Sequence, residues 1–133
     1  MRKVIRSFRE LESYQVAFEF QQMVFERSRN WPREEMYSLT DQVRRCTRSV
    51  GAAIAEAWGK RRYPAHFLSK LSDADSENQE SQHWIASAGA CGYLSDVERA
   101  EWFQMSERIG RLLGSMMAKH ESFCIDPSNR APR

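Results

Sequence analysis

Glu80 and His83 stand three residues apart in the stretch ENQESQHW, the spacing at which one helix presents two metal ligands on a single face. A carboxylate di-iron bundle needs that pair on two helices, with further glutamates turned inward. The chain has no second Glu-x-x-His, and His66 and His120 fall in other segments, so no metal or other cofactor is expected. Glu77 and Glu80 would share a helix face and can form an acid–base dyad. No Gly-rich phosphate loop, nucleophile elbow or cysteine–histidine pair accompanies them, so ion pairing is their expected role and no enzyme activity is expected. Three cysteines, Cys46, Cys91 and Cys124, are odd in number and far apart, which predicts free thiols in a reducing compartment, Cys46 and Cys91 buried in apolar surroundings.

The cations offer the other chemistry. In LTDQVRRCTRSVGAAIAEAWGKRR, Arg44, Arg45 and Arg48 precede a small and apolar run that closes on Lys60, Arg61 and Arg62. With Arg2, Lys3, Arg6 and Arg9, these are the candidate phosphate contacts. The net charge is only +2, but residues 1–62 hold 13 Lys/Arg against 8 Asp/Glu, and residues 63–133 hold 7 against 10. Opposed halves of this kind pair within a fold or present a basic patch. The terminal Lys60–Arg62 run also complements a helix C-terminus.

These residues need elements to hold them, and the punctuation is clear. Pro32, Gly59, Pro64, Gly92 and Pro127 mark stops and starts between four long amphipathic segments. The first spans about 8–30, with Leu11, Tyr14, Phe18 and Phe25 along one side, widened by Ala17, Phe20 and Val24. The second, 38–60, opens at a box-like Ser38-Leu-Thr-Asp41 and carries Leu39, Val43, Cys46, Val50, Ala53 and Ala57 in steps of four and three. The third, 64–91, repeats that rhythm through Phe67, Leu71, Ala74, Asn78, Ser81, Ile85 and Ala88. The fourth, 95–121, begins at the capping box Ser95–Glu98 and carries Trp102, Met105, Ile109, Leu112 and Met116. The expected fold is all-α, a single antiparallel up-down-up-down four-helix bundle over residues 1–124 with a polar tail at 125–133. No apolar run after Met1 suggests a secretory signal and none is long enough to span a membrane, so a cytoplasmic protein is expected.

Helical spacing then sorts the polar residues. Gln42, Ser49 and Glu56 lie seven apart beside the second segment's seam, while Asp73, Glu77, Glu80 and Trp84 make an acidic stripe beside the third. Arg44 or Arg45 reaching that stripe is the expected use of those arginines, fixing register more than adding stability. From Val50 to Trp58 only Glu56 is polar, so Gly51, Ala52, Ala55 and Trp58 form the expected contact surface with another copy.

The string WPREEMYSLTDQVRRCTRSVGAAIAEAWGKRR resembles the signature of bacterial four-helix-bundle proteins encoded in intervening sequences of 23S ribosomal RNA genes. The matching positions are Pro32, Glu35, Leu39, Thr40, Gln42, Arg45, Ser49, Ile54, Ala55, Glu56 and Lys60 to Arg62. HFLSKLSDADSENQESQHWIASAGACGYLS resembles the second half of the pattern, as do Met116-Met117 and Phe123-Cys124. Ala53 and Ala57 depart from it, standing where Asn and Gly are usual. The resemblance implies a ring-like homo-oligomer, typically a homopentamer. It also implies kinship with the accessory proteins of diversity-generating retroelements, which bind nucleic acid and a reverse transcriptase, and association with a ribosomal component. Two functions follow as expectations: a non-enzymatic ring-forming bundle with weak RNA or DNA binding through its basic residues, or a structural, protein-binding scaffold without a nucleic-acid role.

Overall fold

Proline and glycine set the helix ends where their backbone chemistry requires. The computed structural model describes residues 4–126; Arg2, Lys3 and tail residues 127–133 lie outside the described residues. A 3-10 turn at Phe8–Glu10 leads into α1, Glu12–Ser28. A second at Arg33–Glu35 runs into a π-helical turn, Met36–Thr40, and then α2, Asp41–Gly59. Helix α3 spans Pro64–Ala90, α4 spans Asp96–Ala118, and a single-turn α5 covers His120–Phe123.

Pro64 occupies the first turn of α3, where its missing N–H costs nothing. At the other end Gly92 adopts φ 79°, and the N–H groups of Gly92 and Tyr93 reach back to the Gly89 and Ala88 carbonyls at 3.1 and 2.9 Å. This is a Schellman stop, and the left-handed backbone explains glycine there. Ser95 and Glu98 complete the capping box of α4. The cap expected at Ser38 does not form. The chain is already coiled by Met36, with the Asp41 N–H bonded to the Met36 carbonyl, so Ser38 is exposed inside the π turn instead of starting a helix.

Cross-helix pairs give the register. Ser28 meets Arg44 while Tyr14 meets Gly51 across α1 and α2. Arg45 meets Glu80 and Glu56 meets Lys70 across α2 and α3. Asn78 meets Ser106 and Gly89 meets Arg99 across α3 and α4. Glu12 meets Arg108 and Arg27 meets Glu98 across α4 and α1. In each pair one index rises as the other falls, so neighbouring helices run antiparallel.

The seams of α2 and α3 are buried at every expected position, from Leu39 to Ala57 and from Phe67 to Ala88. Each large buried aliphatic or aromatic side chain contributes about 1.5–3 kcal/mol of transfer free energy. The two polar seam residues are satisfied. Asn78 donates to the Ser106 carbonyl and accepts from the Ser106 hydroxyl, both at 2.9 Å, and Ser81 donates to the Glu77 carbonyl at 2.9 Å.

Helices α1 and α4 differ from expectation by a rotation. In α1 the core positions are Val16, Ala17, Phe20 and Val24. Tyr14 and Phe25 are half-buried, and Phe18 is 47% exposed, since the α1 stripe turned to the core lies on the Phe20 side, where Phe20 packs edge-on against Trp102 of α4. In α4 the buried residues are Trp102, Ser106, Ile109, Leu113 and Met116, again in steps of four and three; Ser106 and Leu113 take the second seam position, leaving their neighbours Met105 and Leu112 half-buried. Cys91 is exposed and Cys124 half-buried; only Cys46 is buried as expected. Helix α3 ends at Ala90, so Cys91 lies past the last core position. Among the described residues no helix is long and apolar enough to cross a membrane.

Candidate functional site

Helix α2 carries most of the chemistry, and its neighbours divide that chemistry between two flanks. On the α3 flank Arg45 donates to Glu80 at 2.6 Å and to Glu77 at 3.4 Å. The Cys46 thiol donates to the same Glu80 oxygen at 2.6 Å, and the Trp84 indole N–H donates to it at 3.0 Å. Burial, then the bond to Glu80, pushes the Cys46 thiol up to about 12, so it stays protonated and unreactive. Those thiol and indole donors pull the Glu80 carboxyl below its ordinary value. Cys46, Glu77 and Glu80 bring three ligand-type atoms within 4.8 Å of one another. The Arg45 guanidinium already supplies the positive charge there. His83 packs edge-on against Trp84 and is not one of the ligand-type groups gathered with Glu80.

Further along the same flank, Lys70 bridges Glu56 at 2.9 Å and Asp73 at 3.7 Å. Ser49, Ala52, Glu56, Asp73, Ser76 and Glu77 border a 310 Å³ groove between α2 and α3. Of the expected polar stripe, Glu56 is exposed while Gln42 and Ser49 are half-buried.

On the α1 flank Arg44 goes the other way from its neighbour. It donates to the Ser28 hydroxyl at 2.9 Å and lies 4.9 Å from the centre of the Phe25 ring. Arg48 and Arg29 approach the same ring at 5.5 and 5.7 Å. Burial first, then the adjacent Arg48, lowers the Arg44 guanidinium from its ordinary value; Asp41 opposes and Arg29 adds to the shift. Among the described residues, Arg29 alone of the three has an acidic partner within 4 Å, Glu26 at 3.4 Å. A 730 Å³ concavity runs over this end of α2, bordered by Tyr37, Arg44, Arg45, Arg48 and Ala52. Tyr37 is 85% exposed.

The expected self-contact surface is narrower than the sequence suggests. Gly51 is buried against Tyr14, where an added Cβ would sit 3.5 Å from the ring, so it serves α1–α2 packing. Trp58 is half-buried within its own chain, under the Arg61 guanidinium at 3.6 Å. Arg61 also donates to the Trp58 carbonyl at 2.9 Å, and burial lowers its guanidinium from the ordinary value. Ala52 remains exposed and Ala55 half-buried. At the Lys60–Arg62 end Lys60 alone is exposed; Arg61 and Arg62 are half-buried.

Sequence reasoning did not find the Arg–Phe25 cluster. Arg44 and Arg45 are adjacent in sequence but about 100° apart on the helix, and only the placement of α1 shows which flank each one serves. It also missed Arg27, which donates to Glu98 at 2.6 Å and to the Tyr93 carbonyl at 2.8 Å, tying α1 to the start of α4. Glu98, recognisable as a capping residue, was the available signal.

A family model described as 23S rRNA-intervening sequence protein matches residues 9–115. Among solved structures, a protein of unknown function from the S23 ribosomal protein family of Bacteroides thetaiotaomicron VPI-5482 is similar, with a TM-score of 0.72. It is 23% identical over 80% of this chain and 95% of its own, a likeness that shows the fold. No curated protein matches the chain.

Proposed function

This chain belongs to the 23S rRNA-intervening sequence protein family, and on that premise we propose that it is a non-catalytic bundle whose copies join into a ring-like homo-oligomer through the outer face of α2. The observation that carries this reading is the position of Ala52. It is an exposed small residue at mid-helix and borders both concavities, the larger of 730 Å³ and the smaller of 310 Å³. A crest of small side chains between two grooves lets a neighbouring element approach closely on either side. The clustered titratable groups support a structural role, because Cys46, Glu77 and Glu80 are tied to Arg45 and Trp84 and the thiol is held protonated. The homopentamer implied by the family resemblance is the copy number to test.

Light scattering on wild type and Ala52→Glu provides that test. The exposed site tolerates glutamate in the folded chain, so the variant is expected to keep its helical circular dichroism while losing assembly. An unchanged assembly would remove the α2 face from the account.

Weak contact with RNA or DNA is a second reading, favoured by exposed Tyr37 standing over the same concavity as Arg44 and Arg48. An aromatic platform beside guanidinium groups is how single strands are held without sequence preference, with stacking worth about 1–3 kcal/mol per base. Binding that weakens steeply with salt, and falls for Tyr37→Ala and for neutralised Lys60, Arg61 and Arg62, would support it. No binding at low salt would reject it.

A further inference from the structure

Away from the outer face of α2, the end of the bundle where α4 meets α5 holds two adjoining hollows. One, of 290 Å³, lies between the approach to α1 and the last turns of α4, with Ile5, Leu11, Leu112, Met116 and Phe123 in its wall. The other, of 390 Å³, lies between the end of α2 and α5 and is bordered by Trp58, Arg61, Lys119 and Ser122. Ile5, Lys119 and Phe123 belong to both, so the two form one cleft with an apolar arm and a cationic arm. Two contacts fix its walls. The Ile125 N–H bonds to the Arg61 carbonyl at 3.0 Å, and Phe123 stacks on the buried Phe67 ring at 6.0 Å.

The charges in the cleft are sorted between the arms. Arg61 uses its Nε on the Trp58 carbonyl at 2.9 Å, with its guanidinium 3.6 Å from the centre of the Trp58 ring. Among the described residues its two Nη groups make no hydrogen bond, and neither Arg61 nor Lys119 has an acidic partner within 4 Å. Burial lowers the Arg61 guanidinium from its ordinary value; the Cys124 side chain opposes that, and among the described residues no carboxylate does. No acidic side chain borders the cationic arm. In the apolar arm both acids are engaged, Glu12 by Arg108 at 2.7 Å and Glu10 by the Arg6 backbone N–H at 2.6 Å. A part-buried guanidinium without a counter-charge is unfavourable, and its open Nη edge suits the two oxygens of a carboxylate or phosphate.

We propose that this cleft binds a small amphipathic anion, with a carboxylate or phosphate head between Arg61 and Lys119 and an apolar chain along Leu112 and Met116. An apolar wall joined to a few polar groups that fix orientation is the usual make-up of a small-molecule site, and the two arms together have the volume of one. The acids of the apolar arm enforce the orientation, since a head placed there would meet Glu10 and Glu12. Inorganic phosphate or a nucleic-acid strand would satisfy the cations and leave the apolar arm unfilled.

Isothermal titration calorimetry of the full chain with decanoate, decyl phosphate, decanol and acetate tests the site, with each chain-bearing probe kept below the concentration at which it aggregates. Decanoate or decyl phosphate is expected to saturate a single site per chain, and to bind at least about tenfold tighter than decanol, which lacks the charge, or acetate, which lacks the chain. The tighter of the two anions identifies the head. Lys119 is exposed, so Lys119→Glu is expected to fold like wild type by circular dichroism. That variant should bind the better anion about tenfold more weakly and leave decanol unchanged. In methyl NMR spectra the Met116 methyl should shift as the anion is added. Decanol binding as tightly as both anions, or anion binding that ignores Lys119→Glu, overturns the cationic arm and with it the proposal. Acetate as tight as decanoate overturns the apolar arm. Saturable binding that leaves Met116 unmoved places the ligand elsewhere, and no saturable binding of either anion also overturns the assignment.

Discussion

Replacing Glu98 with glutamine is expected to destabilise the bundle at neutral pH and to do much less in acid. Glu98 accepts from Arg27 Nε at 2.6 Å and Nη2 at 3.2 Å, and from the Ser95 backbone N–H at 2.9 Å. Chiefly through the Arg27 bond, then that of Ser95, its carboxyl is held at about 2 instead of 4.5. Its folded value is depressed, so the stability it contributes is full above about pH 4.5 and drains away as pH falls toward about 2. At 1.36 kcal/mol per unit the shift sets a ceiling of about 3.4 kcal/mol. Both side chains are about one-third exposed, 34% and 32%, so solvent screening brings the expected contribution to about 1–2 kcal/mol. Glutamine keeps the length of the side chain and one oxygen for the capping box, removes the charge and replaces one acceptor by a donor, as protonation of the carboxylate also does. Urea denaturation of wild type and Glu98→Gln at about pH 7 and about pH 2.5 should show a gap of about 1–2 kcal/mol that shrinks at least by half in acid. The same gap at both pH values would refute the argument, because a packing or capping defect does not titrate.

Other substitutions separate packing, backbone and thiol chemistry. Asn78→Ala should cost about 2–4 kcal/mol, since it opens the core and removes the Asn78 bonds to the buried Ser106 carbonyl and hydroxyl, leaving the hydroxyl its bond from Gln82, readable as a lower urea midpoint. Gly92→Ala should cost about 1 kcal/mol because φ is 79° there, whereas Gly89→Ala should be neutral or stabilising. Its new Cβ would lie 2.5 Å from Arg99 Cδ, a flexible exposed chain that can step aside, and alanine favours the helix. Thermal melts distinguish the two. In the native protein a thiol reagent should label Cys91 rapidly and Cys46 only on unfolding, because burial and Glu80 keep the Cys46 thiol near 12. Fast labelling of Cys46 by mass spectrometry would contradict that environment.

The residues explain why the sequence was readable in some places and not in others. In α2 and α3 each apolar or satisfied polar position recurs in steps of four and three, so one face was defined and the structure buries it whole. In α1 the aromatics are spread around the helix: Tyr14, Phe18 and Phe25 compete with Phe20 and Val24 for the core face, and size alone does not say which wins. The π turn was hidden because Ser38 and Asp41 imitate a cap that the preceding coil makes unnecessary. At the candidate site, the acidic stripe and its arginine partner were legible from spacing. The separation of Arg44 from Arg45 was not, since it depends on which helix lies on each side of α2. Gly51 looks like an outward small residue for a similar reason: a glycine beside alanines carries no sign of the Tyr14 ring that packs on it.

Self-association through α2 is the central claim, and the molar mass of the wild-type chain in solution tests it most directly. Size-exclusion chromatography with multi-angle light scattering at micromolar protein should give a mass of more than two chains of 15.6 kDa. A single species of 15.6 kDa across the accessible concentration range would contradict it.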